Sequence, residues 1–196
     1  MNLRLTETEK TTSVTERSTP QEYQYVFQSF EALSEVPADE VKAIVLEHSE
    51  VMHRRLMQIG QFDNDPKAHV AAFMDKIEGI IPPNGRFYIV RDELGIAVGF
   101  GAIRKLDDTS VEMKHLYVRD DHRGSGLGRR LVERRLEDAR TMGAKAVFAD
   151  TIGAFPEMPT LYRSLGFERI DPPVTSGTLS ASPSIAECLI FFRKDL

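Results

Sequence analysis

Residues 118–130 read VRDDHRGSGLGRR, and this stretch joins a strand-like run to the most regular helical pattern in the chain. Glycine recurs at every second position, at Gly124, Gly126 and Gly128. Alternating glycines at a strand-to-helix turn let backbone N–H groups converge on one concavity at the positive end of the helix, which is a place for an anion such as phosphate. A P-loop would require Gly-Lys-Ser/Thr at its end, and none is present. A dinucleotide fingerprint GxGxxG would require glycine where Arg129 stands, and the strands before the loop are spaced for an antiparallel arrangement.

The flanks define the rest of the fold. Before the loop, Phe87 to Val90, Ala97 to Ile103 and Val111 to Val118 are short β-type runs separated by Asp-Glu-Leu-Gly and Asp-Asp-Thr turns, which predicts an antiparallel meander. After it, Gly126 to Met142 carries Leu127, Leu131, Val132, Leu136, Ala139 and Met142 on one stripe, with Gly143 as the C-terminal stop. Ala144 to Asp150 is then a buried strand parallel to its predecessor, since a helix supplies the crossover. A short helix from Met158 to Leu165, a strand after Gly166-Phe167 and a last strand from Ala186 to Arg193 complete this half.

Toward the N-terminus, Tyr23, Tyr25 and Phe27 alternate within Glu22 to Phe30, as in a strand with one buried face. Pro37 opens an amphipathic helix closed by Gly60, and Pro66 to Ile81 forms a second one stopped by Pro82-Pro83. Residues 1 to 20 have the composition of a flexible tail, so a single domain is expected over 21–196.

Composition narrows the function classes. The 196 residues carry 30 acidic and 25 basic side chains, a net charge of -5 that argues against a nucleic-acid or anionic-membrane surface. Cys188 is the only cysteine, which excludes an intramolecular disulfide or a multi-thiolate metal site. No apolar run has signal-peptide or membrane-span length, so a cytoplasmic protein is expected.

Arg123-Gly124-Ser125-Gly126-Leu127-Gly128 is an R-x-x-G-x-G that resembles the acetyl-CoA pyrophosphate loop of the GNAT superfamily of N-acetyltransferases. The order of elements around it, and the Tyr-x-x-x-Gly-Phe segment from Tyr162 to Phe167, extend the likeness over roughly residues 86 to 170. The resemblance implies an α/β fold with a mixed, mainly antiparallel sheet flanked by helices and splayed near its middle. It implies acetyl-CoA as co-substrate, no metal, and direct transfer of acetyl to the amine of a small molecule or amino acid.

The backbone of Leu116, Tyr117 and Val118 would then hold the pantetheine arm as an added strand. Arg123 and Arg129 are the candidates for phosphate contact. Tyr162 stands where the superfamily often places the general acid, and Glu112 where some members carry the general base. His115 is the alternative base; three positions along a regular strand would turn it to the opposite face from Glu112.

The remaining arginines of the helix, Arg130, Arg134, Arg135 and Arg140, are expected on a solvated face, with Arg129–Glu133 and Arg134–Asp138 pairs at helical spacing. Phe155 departs from the family pattern, which often has asparagine seven residues before the tyrosine. The acceptor would be met by His48 to Gln61 and Pro172 to Ser184, which carry no motif. A peptide or protein amine as acceptor, and a non-catalytic acyl-CoA-binding module, stay open; oligomeric state is not readable from the sequence, although homodimers are common among soluble proteins in general.

Overall fold

A computed structural model describes residues 24–60, 65–171, 178 and 183–196. The predicted tail, Gln61 and most of the 172–184 segment lie outside the described residues. Strand β1 (Val26–Ser29) leads into helix α1 (Ala38–Gln58), which begins directly after Pro37, and into α2 (Pro66–Asp75). Asp65 caps α2 by accepting the Lys67 N–H at 3.0 Å, and proline follows at its first position, where no amide hydrogen is needed.

The meander forms as predicted, with β2 (Gly85–Arg91), β3 (Ala97–Lys105) and β4 (Ser110–Val118) antiparallel to one another. Helix α3 (Leu127–Thr141) crosses over to β5 (Ala146–Ile152), which lies parallel to β4. Helix α4 (Glu157–Ser164), β6 (Glu168–Ile170) and β7 (Leu189–Asp195) close the chain. The seven strands lie in the order β1-β2-β3-β4-β5-β7-β6, and β4–β5 is the one parallel pair among them.

Helices α1 and α2 cover one face. Val41, Ile44, Val45 and Val51 of α1 and Phe73 of α2 pack on Phe87, Ile89, Phe100, Ala102 and Tyr117. The other face carries α3 and α4, where Leu127, Leu131, Val132 and Leu136 meet Tyr88, Val98, Val118, Ile103, Val111 and Met113. Alternation along each strand therefore divides the core into two layers, which is what burying both faces of one sheet requires.

Three predicted elements are corrected, the first being the helix expected from Pro66 to Ile81, which ends at Asp75 and gives way to a 3-10 turn over Ile77–Ile80. The last strand begins at Leu189, because Pro183–Cys188 form 3-10 turns. Ile185 is buried there against Leu56, and the Cys188 carbonyl accepts the Gly153 N–H at 2.7 Å, so that stretch follows a helical spacing. The predicted strand over 22–30 pairs with β2 only from Val26 to Ser29. Among the described residues, no helix is long and apolar enough to cross a membrane.

The sheet opens between β4 and β5. Pairing runs from Ser110↔Ala146 to Met113↔Ala149 and stops, although β4 continues five residues further. The β3 side of β4 stays paired to Val118, so the β5-facing edge of residues 114–118 has no strand beside it among the described residues.

Candidate active site

The loop after β4 takes the form its glycines require. Gly124 and Gly126 have φ of +79° and +83°, the left-handed region that side-chain-bearing residues avoid. A Cβ at either would point into open space, so close protein packing is not what calls for glycine here. Gly126 is the residue before α3 and offers no side-chain cap, which leaves the first amides of the helix to other acceptors.

Ser125 braces the loop from within. Its Oγ donates to the His122 carbonyl at 2.7 Å and accepts from the Leu127 N–H at 3.3 Å and the Tyr25 hydroxyl at 3.1 Å. Leu127 is buried under the sheet, and Gly128 faces the Leu116 side chain, 4.0 Å from where a Cβ would stand.

Both candidate arginines sit at the loop, already partnered. Arg123 donates from Nε to the Val118 carbonyl at 3.1 Å and pairs with Asp120 at 2.8 Å. Arg129 pairs with Glu133 at 2.9 Å, as its helical spacing predicted, and reaches Ser164 at 3.0 Å. Arg134–Asp138 also forms, at 3.0 Å.

Arg135 is a correction, because it is fully buried rather than solvated. Its Nη1 donates to the carbonyls of His115 at 2.8 Å and Ala102 at 3.2 Å, and its Nε to Leu131 at 3.1 Å. The Ala102 and His115 carbonyls lie at a bulge: β3 residues Gly101 and Ala102 face Leu116 and Lys114, which leaves His115 unpaired at φ +54°. The guanidinium on α3 thus fastens the bulge from the opposite layer.

The bulge also corrects the expected placing of His115. On a regular strand it would lie opposite Glu112, but the extra residue reverses the alternation. The His115 ring lies 4.9 Å from Phe73 and 6.0 Å from Phe100, on the α1/α2 face. Glu112 faces the same way, opposite Arg104 and beside Lys114. Leu116, Tyr117 and Val118 are buried or half-buried side chains of the core, while their backbone forms the open edge.

Glu112 is 3% exposed, and its Oε2 accepts a hydrogen bond from Arg104 Nε at 2.8 Å and forms an ion pair with Nη2 at 2.8 Å. Its Oε1 lies 3.9 Å from the Lys114 ammonium, which donates to Thr178 at 2.6 Å. Tyr162 of α4 lies in the other layer, 3% exposed, with ring centroids 5.1 Å from Phe167 and 5.2 Å from Phe192. Burial pushes its phenol up to about 12, so at neutral pH the hydroxyl keeps its proton. Phe155 packs with the α1-side core beneath the Arg55 guanidinium, 4.3 Å from its ring centre.

Sequence reasoning missed His48 of α1 and His69 of α2, which the fold brings to His115. Each of the three offers a ring nitrogen within 4.8 Å of the others. Burial holds all three in the neutral form: His48 falls to about 3, His69 lies below its ordinary value and His115 well below. The Lys114 ammonium adds to this for His69 and His115. Their sequence separations of 21 and 46 residues carry no periodic signal, so only tertiary contact reveals the group.

Comparison with known proteins bears on this arrangement. Residues 83–169, from just before β2 to β6, match the model of the acetyltransferase (GNAT) domain. The chain is 35% identical over 92 residues to an uncharacterized N-acetyltransferase of Schizosaccharomyces pombe, covering 46% of this chain and 56% of that protein. It is 35% identical over 83 residues to the L-amino acid N-acyltransferase MnaT of Escherichia coli, covering 40% and 48%. The chain thus spans about half the length of these curated relatives.

Among solved structures, a GNAT-family acetyltransferase of Staphylococcus aureus superposes with a TM-score of 0.67 at 16% identity, over 87% of this chain and 99% of that one. One from Elizabethkingia anophelis with acetyl-CoA bound gives 0.53 at 15% identity, over 88% and 98%. Likeness at such low identity concerns the fold.

Proposed function

We propose that this chain is an N-acetyltransferase of the GNAT superfamily, whose domain model it matches over residues 83–169, and that it moves the acetyl group of acetyl-CoA to the primary amine of a small molecule or amino acid. The observation that carries the reading is one continuous binding edge. The unpaired side of residues 114–118 runs into the glycine loop at the start of α3. A pantetheine arm has amides that pair with such an edge as a strand would, and its pyrophosphate then reaches the loop amides. Leu116, Tyr117 and Val118 supply the edge, and Gly124, Ser125, Gly126, Leu127 and Gly128 the cradle. Arg123 and Arg129 are the nearby cations, free to exchange their carboxylate partners for phosphate.

The two proton-handling groups stand in opposite layers of the splayed sheet. In the proposed reaction the neutral amine attacks the thioester carbonyl carbon, the C–S bond breaks, and the sulfur takes the Tyr162 proton. The proton lost by the amine passes through water to Glu112 Oε1, the carboxylate oxygen that Arg104 leaves unbonded. Tyr162 suits this role because burial keeps its hydroxyl protonated. An amino-acid-type acceptor is supported by relatives named L-amino acid N-acyltransferase and L-methionine sulfoximine/L-methionine sulfone acetyltransferase.

The test is thiol release from acetyl-CoA across amines, amino acids and short peptides, with Tyr162→Phe and Gly126→Glu alongside. The reading requires an amine-dependent rate that falls in the first variant and vanishes in the second. Coenzyme binding without turnover would replace it by acyl-CoA sensing, and no binding at all would overturn the assignment of the loop.

A further inference from the structure

We propose that His48, His69 and His115 form a binding site for a divalent transition ion of the zinc class, at the junction of α1, α2 and β4. Three elements each contribute one imidazole, and the three donor nitrogens lie within 4.8 Å of one another. Atoms at that spacing sit at most about 2.8 Å from a common centre, so each ring must advance only about 0.7 Å to reach a metal–nitrogen distance of about 2.0–2.1 Å. That is within reach of small χ adjustments, since His48 and His69 sit on helices and His115 on a bulge.

The nitrogens themselves ask for a partner. His48 Nδ1 and His69 Nε2 are buried and make no hydrogen bond among the described residues. Buried polar atoms are almost always satisfied, and an orphan calls for a bound water or ion. Ring packing accounts for the faces of these imidazoles, with Phe100 5.4 Å from His48 and Phe73 4.9 Å from His115, but it leaves the lone pairs unused. Because burial keeps the rings neutral, no proton has to leave before a metal enters.

Donor chemistry fixes the class of ion. Three imidazoles suit zinc, copper, nickel or cobalt, whereas calcium and magnesium take oxygen donors. Among the described residues no carboxylate or thiol joins the group, which leaves the fourth tetrahedral position to a ligand from solution. All three residues are half-buried. His115 lies two residues beyond the last β4–β5 pair, which puts the ion on the α1/α2 side of the sheet opening.

The site is tested on untagged full-length protein stripped with a chelator. Titration with Zn²⁺ against a colorimetric chelator should give one ion per chain, and Co²⁺ should give the intense visible absorption of a tetrahedral complex. Zinc at a hundredfold excess over its Kd should raise Tm by roughly 5–10 °C. His69→Ala and His48→Gln should each weaken binding by more than about 100-fold, since even second-layer partners of a metal site are worth about 10–100-fold. Thermal unfolding of each variant without metal checks that it folds, and His69→Ala alone suffices if His48→Gln does not. Absence of stoichiometric Zn²⁺, or affinity unchanged in His69→Ala, overturns the proposal.

Discussion

Helix α3 carries a left-handed glycine at each end, Gly126 before its first turn with φ +83° and Gly143 after its last with φ +79°. A Cβ built on either meets nothing within 4 Å, so the protein itself penalises alanine equally at both. Forcing alanine into this region costs about 1–2 kcal/mol, and the lost freedom of the unfolded chain returns about 0.4–1 kcal/mol. Net losses of roughly 0–1.6 kcal/mol correspond to a Tm drop of at most about 6 °C for a chain of this size.

Gly126→Ala and Gly143→Ala should therefore melt within a degree or two of each other. Acetyl-CoA should separate them. At Gly126 the added methyl enters the concavity assigned to the pyrophosphate, and calorimetric titration should show at least a tenfold loss of affinity, about 1.4 kcal/mol. Gly143→Ala should bind as the wild type does. Equal acetyl-CoA affinities for the two variants would refute the placing of the anion, whatever the melting curves show.

Tyr162→Phe should lower kcat by about 10²–10⁴-fold, the usual worth of a general acid, with little change in KM for acetyl-CoA or in Tm; an unchanged kcat would leave Tyr162 a core residue. Arg135→Met strands the carbonyls of Ala102 and His115 and should cost about 2–6 kcal/mol in chemical denaturation, at about 1–3 kcal/mol per unsatisfied buried group. A loss below about 1 kcal/mol would show that the bulge needs no such fastening. Glu40 is held below its ordinary value of 4.5 by two Arg91 hydrogen bonds at 2.5 and 2.6 Å. A depressed carboxylate stabilises the fold above the unfolded value and loses that contribution as pH falls through the folded one. The stability gap between wild type and Glu40→Gln, roughly 1 kcal/mol for a partly exposed pair, should be constant above pH 4.5 and close below it; a gap that persists at low pH would contradict the pairing.

Much of the proposed binding site is local and could be read directly. The glycine spacing at 124, 126 and 128, the stripe from Leu127 to Met142 and the turn residues between strands are short-range properties, and each fixed an element that the structure repeats within a residue or two. The parallel placement of β5 followed from the crossover alone. The last strand begins at Leu189 and not at Ala186, because apolar density there is shared between a 3-10 turn and a strand, and periodicity over so few residues cannot divide them.

By itself the sequence determined the order of elements, the phosphate-type loop and the family likeness, because these rest on patterns within about twenty residues. The side on which side chains emerge beyond a bulge is another matter. One unpaired residue at His115 turned it toward Phe73 and His69, and nothing in EMKHLYV announces that insertion, since it depends on pairing with Gly101 and Ala102 of another strand. Tertiary structure likewise buried Arg135, because the bulge it fastens lies in the opposite layer, and gathered His48, His69 and His115 from three elements. Contacts between residues distant in the chain are set by how layers pack, and a linear pattern holds no record of that distance.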